Sequence, residues 1–189
     1  MTKNKSKSTS VKAVIELELD MFRTVSSTVF PPSEERLRNF MLMREMHHSI
    51  WPSSIVDAYL EEMNQAKAIG RNFISEKYAC LEKRQCAMTD SHRIDELVAT
   101  EMDWIVEITH KYPLLLASFD SGVGEYIRCE YSALSSTTIA MISDFFAKAK
   151  AEGRNLIEER YSNLSLAMGY QSIPELEHAL SLKSFVKMH

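Results

Sequence analysis

Ala66-Lys67-Ala68-Ile69-Gly70-Arg71-Asn72-Phe73-Ile74 returns further along the chain as Ala149-Lys150-Ala151-Glu152-Gly153-Arg154-Asn155-Leu156-Ile157. Between 66–81 and 149–164, ten of sixteen positions are identical, where unrelated segments of ordinary composition would share roughly one. The chain is internally duplicated. The same shift, from position 66 to position 149, pairs Glu18 with Glu101, Asp20 with Asp103 and Ser49 with Ser132, so no net insertion separates the segments within each half.

Working outward, each half reads as three helical segments. Val11, Val14, Ile15, Met21, Phe22 and Val25 recur at spacings of three and four, and Ile94, Leu97, Val98, Trp104, Ile105 and Ile108 repeat the stripe. Phe30-Pro31-Pro32 ends the first segment, and Lys111-Tyr112-Pro113 ends its twin. A second helix begins near Ser33 and stops or kinks at Trp51-Pro52; its counterpart runs from about Gly124 to Leu134. A long third helix is expected from Ser54 to Arg84, with Ser54-x-x-Asp57 at its start, and from Ser136 to Met168 in the second half. Ser172-Ile173-Pro174-Glu175 reads as a capping box opening a short closing helix. The expected fold is an all-α helical bundle of two tandem, pseudo-twofold-related repeats. Its parts are a disordered basic segment 1–10, repeat 1 at 11–86, repeat 2 at 94–169 and a closing helix 172–184, all in one compact domain.

Composition agrees. The 189 residues are 45% apolar and 25% charged, enough to bury a substantial core. Only 5 Gly and 5 Pro occur, against roughly 13 and 9 at average usage, which argues against a turn-rich all-β chain. The net charge of −4 disfavours nucleic acid as a partner. Neither an apolar run behind the first ten residues nor a membrane-spanning stretch is present, so the expectation is a cytoplasmic protein without membrane contact. Cys80, Cys86 and Cys129 are an odd set without metal-motif spacing, and read as reduced thiols.

Gly70 and Gly153 fall within helical patterns, where Gly costs about 1 kcal/mol relative to Ala. The expected compensation is a close approach of helix backbones, with Arg and Asn bonding to a neighbouring helix end.

Polar residues interrupt the apolar stripes. Glu18 lies between Val14/Ile15 and Met21/Phe22, and Glu101 repeats the placement. His47 lies between Met43 and Ile50/Trp51, and its equivalent is Glu130. Arg44 is on the same apolar side. Charges facing a bundle interior cost several kcal/mol unless paired or neutralised. Arg44, His47 and Arg128 are candidates to supply counter-charge, and a semi-exposed groove is the alternative. Carboxylates sharing a pocket with a His can act as acid and base. They can also bind one metal, and three oxygens with one imidazole suit iron or manganese. Glu45-x-x-His48 resembles half of a di-metal carboxylate motif, but the second half is absent, and His48 reads as a surface residue.

Glu16-Leu17-Glu18-x-x-Met21-Phe22, Met43-Arg44 leading to Trp51-Pro52, Trp104 ahead of Lys111-Tyr112-Pro113, Tyr126-x-Arg128-x-Glu130 and both Gly-Arg-Asn segments resemble an uncharacterised bacterial family of domains of unknown function. The resemblance spans most of residues 12–180. It implies a duplicated all-α organisation and carries no activity. His47 and Glu101 stand where the family pattern leads one to expect amides, and the 114–124 loop is short.

The leading functional expectation is a small-molecule enzyme, in a setting such as specialised metabolism, with its pocket between the repeats. Glu18, His47, Glu101 and Glu130 would be catalytic, or would ligate one metal. Arg44, Arg128, Trp51, Trp104, Tyr126 and Tyr131 would bind substrate. The alternative is a non-catalytic small-molecule-binding or interaction module. Self-association is left open.

Overall fold

The computed structural model describes residues 2–26, 32–82, 90–117 and 122–187. These residues form helices joined by turns, with no strand among them. In chain order the helices are α1 (Thr2–Ser26), α2 (Glu34–Ser49), α3 (Ser53–Ala68), α4 (Phe73–Leu81), α5 (Ser91–Lys111), α6 (Val123–Ser132), α7 (Ser136–Ala151), α8 (Leu156–Ala167) and α9 (Ile173–Lys187). The all-α reading holds. The break at Phe30-Pro31, Cys86, and the centre of the 114–124 loop lie outside the described residues. Helix α1 begins at Thr2 and so takes in most of the segment expected to be disordered; Lys7 Nζ donates to the Ser49 carbonyl at 3.0 Å.

The long third helix is corrected in both halves. It breaks at Gly70-Arg71-Asn72 into α3 and α4, and at Gly153-Arg154-Asn155 into α7 and α8. Gly70 has φ +76° and Gly153 φ +68°. Arg71 N–H donates to the Ala66 carbonyl and Gly70 N–H to Lys67, with the same bonds at Arg154–Ala149 and Gly153–Lys150. This is a Schellman ending, in which glycine is favoured because it adopts the left-handed conformation without a Cβ clash. The expected close backbone approach is absent: a Cβ built on either glycine meets nothing within 4 Å.

The following Asn restarts the chain. Asn72 Oδ1 accepts from Ser75 N–H at 2.9 Å, and Asn155 Oδ1 from Glu158 N–H at 3.0 Å, capping α4 and α8. Their amide nitrogens donate to the Met21 carbonyl in α1 and the Trp104 carbonyl in α5. The neighbour expected for Asn is therefore real, but it lies within a helix. Arg71 and Arg154 each clamp a Glu five residues on, Glu76 and Glu159.

Other boundaries follow local chemistry. Helix α2 starts near Ser33 as expected, and Ser33 caps it by accepting from Arg36 N–H. Helix α3 starts at Ser53 behind Pro52 with no side-chain cap, so Ser54 and Asp57 do not play the part assigned to them. At α9, Ser172 Oγ accepts from Glu175 N–H at 3.4 Å, while Glu175 reaches the Gln171 N–H instead of completing the box.

Helix α1 packs on α2, α3 and α4, and α5 packs on α6, α7 and α8. Between the halves, α3 meets α7, α4 meets α6 and α2 meets α8. The last two contacts exchange when the halves are interchanged. Val14, Phe22, Val56 and Met63 of the first half and Leu97, Ile139, Ile142 and Leu156 of the second belong to one continuous core. Burying each contributes on the order of 1.5–3 kcal/mol. That core fixes the backbones from which the charged side chains project.

Candidate functional site: a chamber floored by ion pairs

Glu18 is fully buried and Glu101 is 3% exposed. Both face inward, each with its own partners. Arg44 grips Glu18 with two nitrogens, Nε at 2.9 Å and Nη2 to the other oxygen. His48 Nε2 lies 3.0 Å from Glu18 Oε2, and Tyr59 O–H donates to Oε1 at 2.9 Å. Since that carboxylate is ionised, His48 Nε2 carries the proton. Its Nδ1 is buried without a hydrogen-bond partner. Burial pushes the Glu18 carboxyl up, but Arg44 and His48 outweigh it and hold it at about 2.

Arg44 also reaches Glu130 through Nη1 at 2.5 Å, and Lys77 Nζ donates to the other Glu130 oxygen. Burial pushes the Glu130 carboxyl up, and Arg44 and Lys77 together bring it well below the usual range. Lys77 also sits 3.8 Å from the centre of the Tyr126 ring. In the second half, Arg160 places Nη1 and Nη2 at 3.1 and 3.2 Å from the two Glu101 oxygens, and Tyr131 O–H donates to Glu101 at 2.5 Å. Three carboxylates thus meet three permanent cations: Arg44, Lys77 and Arg160.

Above this network lies a chamber of about 520 Å³, lined from α2, α4, α5, α6 and α8. Its lining falls largely into repeat-equivalent pairs: Phe40/Val123, Met43/Tyr126, Arg44/Ile127, His47/Glu130, Ile74/Ile157, Lys77/Arg160 and Tyr78/Tyr161. The walls are mostly apolar. Charge matching differs between the halves at Arg44/Ile127 and His47/Glu130. His47 is half-buried, and its ring meets Trp51 edge-on at 5.1 Å. Burial, then the charges of Arg160 and Arg44, push its pKa well below the usual value, so it is neutral near pH 7.

The structure sorts the expected residues. Arg44, His47, Glu101, Glu130, Tyr126 and Tyr131 line the chamber, and Glu18 lies behind Arg44. Arg128 does not take part: it binds Asp95 and approaches Glu125 at 3.8 Å on the outer face of α6. Trp51 and Trp104 are core residues, Trp51 against Tyr59 and Trp104 against Phe146, and neither lines the chamber. His48 is fully buried, contrary to its surface reading, and Glu45 is exposed, so Glu45-x-x-His48 forms no ligand pair. Nor are Glu18, His47, Glu101 and Glu130 assembled as an iron or manganese set. Among the described residues no three of them bring ligand atoms within 4.8 Å of one another. Arg44 occupies the space between Glu18 and Glu130.

Sequence reasoning missed Lys77, Arg160 and Tyr59. Lys77 and Arg160 are repeat equivalents on the apolar stripes Ile74/Tyr78/Leu81 and Ile157/Tyr161/Leu164. A cation repeated inside an apolar stripe was the available signal. Cys80 and Cys129 are also corrected: they are joined as a disulfide with Cα atoms 5.7 Å apart, linking α4 to α6.

Fold and site together define an all-α protein with a chamber lined by ion-paired residues of its helices. The chain belongs to the family described as Protein of unknown function (DUF4125), whose model matches residues 8–178. No curated protein and no solved structure matches it. Among the described residues no helix is long and apolar enough to cross a membrane.

Proposed function

We propose that the chain binds a small, largely apolar organic molecule in the chamber between two pseudo-twofold-related units. The observation that carries this reading is the chamber itself: about 520 Å³, mostly apolar-walled, with its charged lining residues Arg44, Lys77, Glu101, Glu130 and Arg160 tied to one another in ion pairs. Small-molecule sites have this size and this division of labour. The carboxylates are poor candidates for acid–base work. Glu18 and Glu130 are held ionised far below neutrality, and Glu101 is clamped by Arg160 and Tyr131. The floor positions a ligand and keeps the walls apart. Our reading retains a cytoplasmic setting, with neither nucleic acid nor membrane as partner.

The test is native mass spectrometry of freshly purified protein, with titration of the apolar fluorophore anilinonaphthalene sulfonate. One molecule per chain is expected, lost in Leu81→Trp, which fills the chamber from a half-buried wall position. Equal binding by the folded variant overturns the reading.

An enzymatic reading rests on His47. It lines the chamber as a neutral imidazole, and no hydrogen bond to its ring is present among the described residues. In that reading His47 is the general base. A co-purified molecule converted by the native chain and left intact by His47→Ala supports it; no conversion by either leaves binding alone.

A further inference from the structure

A second site lies outside the chamber, where α4 crosses α6. Cys129 and Glu125 are one helical turn apart on α6, and Cys80 faces them from α4. The two sulfurs and a Glu125 carboxylate oxygen all lie within 4.8 Å of one another. We infer that in the reduced protein Cys80, Cys129 and Glu125 bind one thiophilic divalent cation of the zinc type, and that the disulfide is the oxidised, metal-free form of the same linkage.

Two thiolates and one carboxylate favour zinc over calcium or magnesium, which take oxygen ligands. Tetrahedral zinc with sulfur about 2.3 Å away sets its ligands roughly 3.3–3.8 Å apart, so only a small adjustment closes the present cluster. Cys80 and Cys129 are 2% and 0% exposed, where two uncompensated thiolates would be costly and a divalent cation would neutralise them. Glu125 is exposed, giving the cation a way in and leaving a fourth corner for water. Lys77 is committed to Glu130, and Arg128, bound to Asp95, touches Glu125 only at 3.8 Å, a contact that the cation would replace. The equivalent corner of the other half holds Leu42, Met46 and Asn163, and so no such ligand set. The site belongs to one junction alone.

The steps balance. A dithiol reductant delivers two electrons and two protons to the Cys80–Cys129 bond, which breaks to two thiols while the reductant becomes a disulfide. Zinc then displaces the two thiol protons.

The experiment uses the full chain carrying Cys86→Ser, which leaves this pair as the sole cysteines. Zinc is titrated anaerobically against a chromophoric chelator, and cadmium is followed by its thiolate charge-transfer absorbance. One equivalent is expected with the reduced protein and none with the oxidised. Cys129→Ser should abolish binding, and Glu125→Gln should weaken it about 10-fold. Absence of binding to the reduced protein overturns the inference, as does equal binding by the oxidised protein. Should Cys129→Ser fail to fold, Glu125→Gln decides: it changes an exposed side chain, and unaltered affinity there rejects the three-ligand site. The outcome is independent of whether the chamber takes a ligand.

Discussion

Lys77 and Arg160 occupy equivalent positions in the two repeats, yet they serve different carboxylates. Arg160 pairs with Glu101 within its own half, whereas Lys77 reaches across to Glu130 of the other. The cause is local. Arg44 already holds Glu18, the counterpart of Glu101, and Ile127 in the second half supplies no such cation.

Removing either cation strands a buried carboxylate, unequally. Arg160→Met leaves Glu101 with Tyr131 alone, and should cost about 3–5 kcal/mol. Lys77→Met leaves Glu130 still held by Arg44, and should cost less. Urea unfolding of both variants checks the order.

Glu18→Gln separates a structural carboxylate from a strained functional one. A strained acid, when neutralised, releases stability. Here the amide removes the charge facing Arg44 and leaves one acceptor oxygen for two donor pairs, Arg44 Nε with His48 or Arg44 Nη2 with Tyr59, so destabilisation of roughly 3 kcal/mol is expected. A rise in the urea midpoint would contradict this account of Glu18.

Gly70→Ala and Gly153→Ala should each cost about 1–2 kcal/mol through backbone conformation alone, because their surroundings are open. Asn, which tolerates the left-handed region, should be milder at both positions. Thermal unfolding with equal losses for Asn and Ala would speak against this origin.

Stability should fall as pH drops below neutrality, in two stages. Burial depresses both the His47 and the His48 pKa from 6.5, so below that value the unfolded chain takes up protons that the folded one refuses. Each contribution is full above about pH 6.5 and declines below it by at most about 1.4 kcal/mol per pH unit. Glu18 follows in the same direction: its contribution is complete above about 4.5 and lost as pH falls towards about 2. Urea midpoints from pH 8 to 3 test this: His48→Gln should shrink the upper stage, and His47→Gln with His48→Gln should remove it while leaving the lower one.

The disulfide closes a loop of sequence separation 49, for which chain entropy suggests about 3–5 kcal/mol. Reducing it in metal-free protein should lower the unfolding free energy by up to that amount. Guanidinium unfolding with and without reductant measures it.

The helical class was legible because it rests on the spacing of apolar residues. The stripes also pointed to the inward placement of Glu18 and Glu101, with a semi-exposed groove as the alternative that their burial removes. The break at Gly70 was not, because a helix ending in glycine and restarting at Asn72 keeps nearly the same apolar rhythm. His47 and His48 show a second limit. Adjacent helical residues differ by about 100° of rotation, so His48, one turn beyond Arg44, meets Glu18 with it while His47 turns to the chamber. The Cys80–Cys129 pairing was out of reach, because only the crossing of α4 over α6 brings them together.

Arg44 serves carboxylates from both halves at once. Neither half could therefore be cut free and left whole: one fragment would keep Glu130 and lose Arg44 and Lys77, the other would keep those cations without that acid. The two halves are thereby tied by charge as well as by apolar packing, and each would leave the other with an unanswered ion.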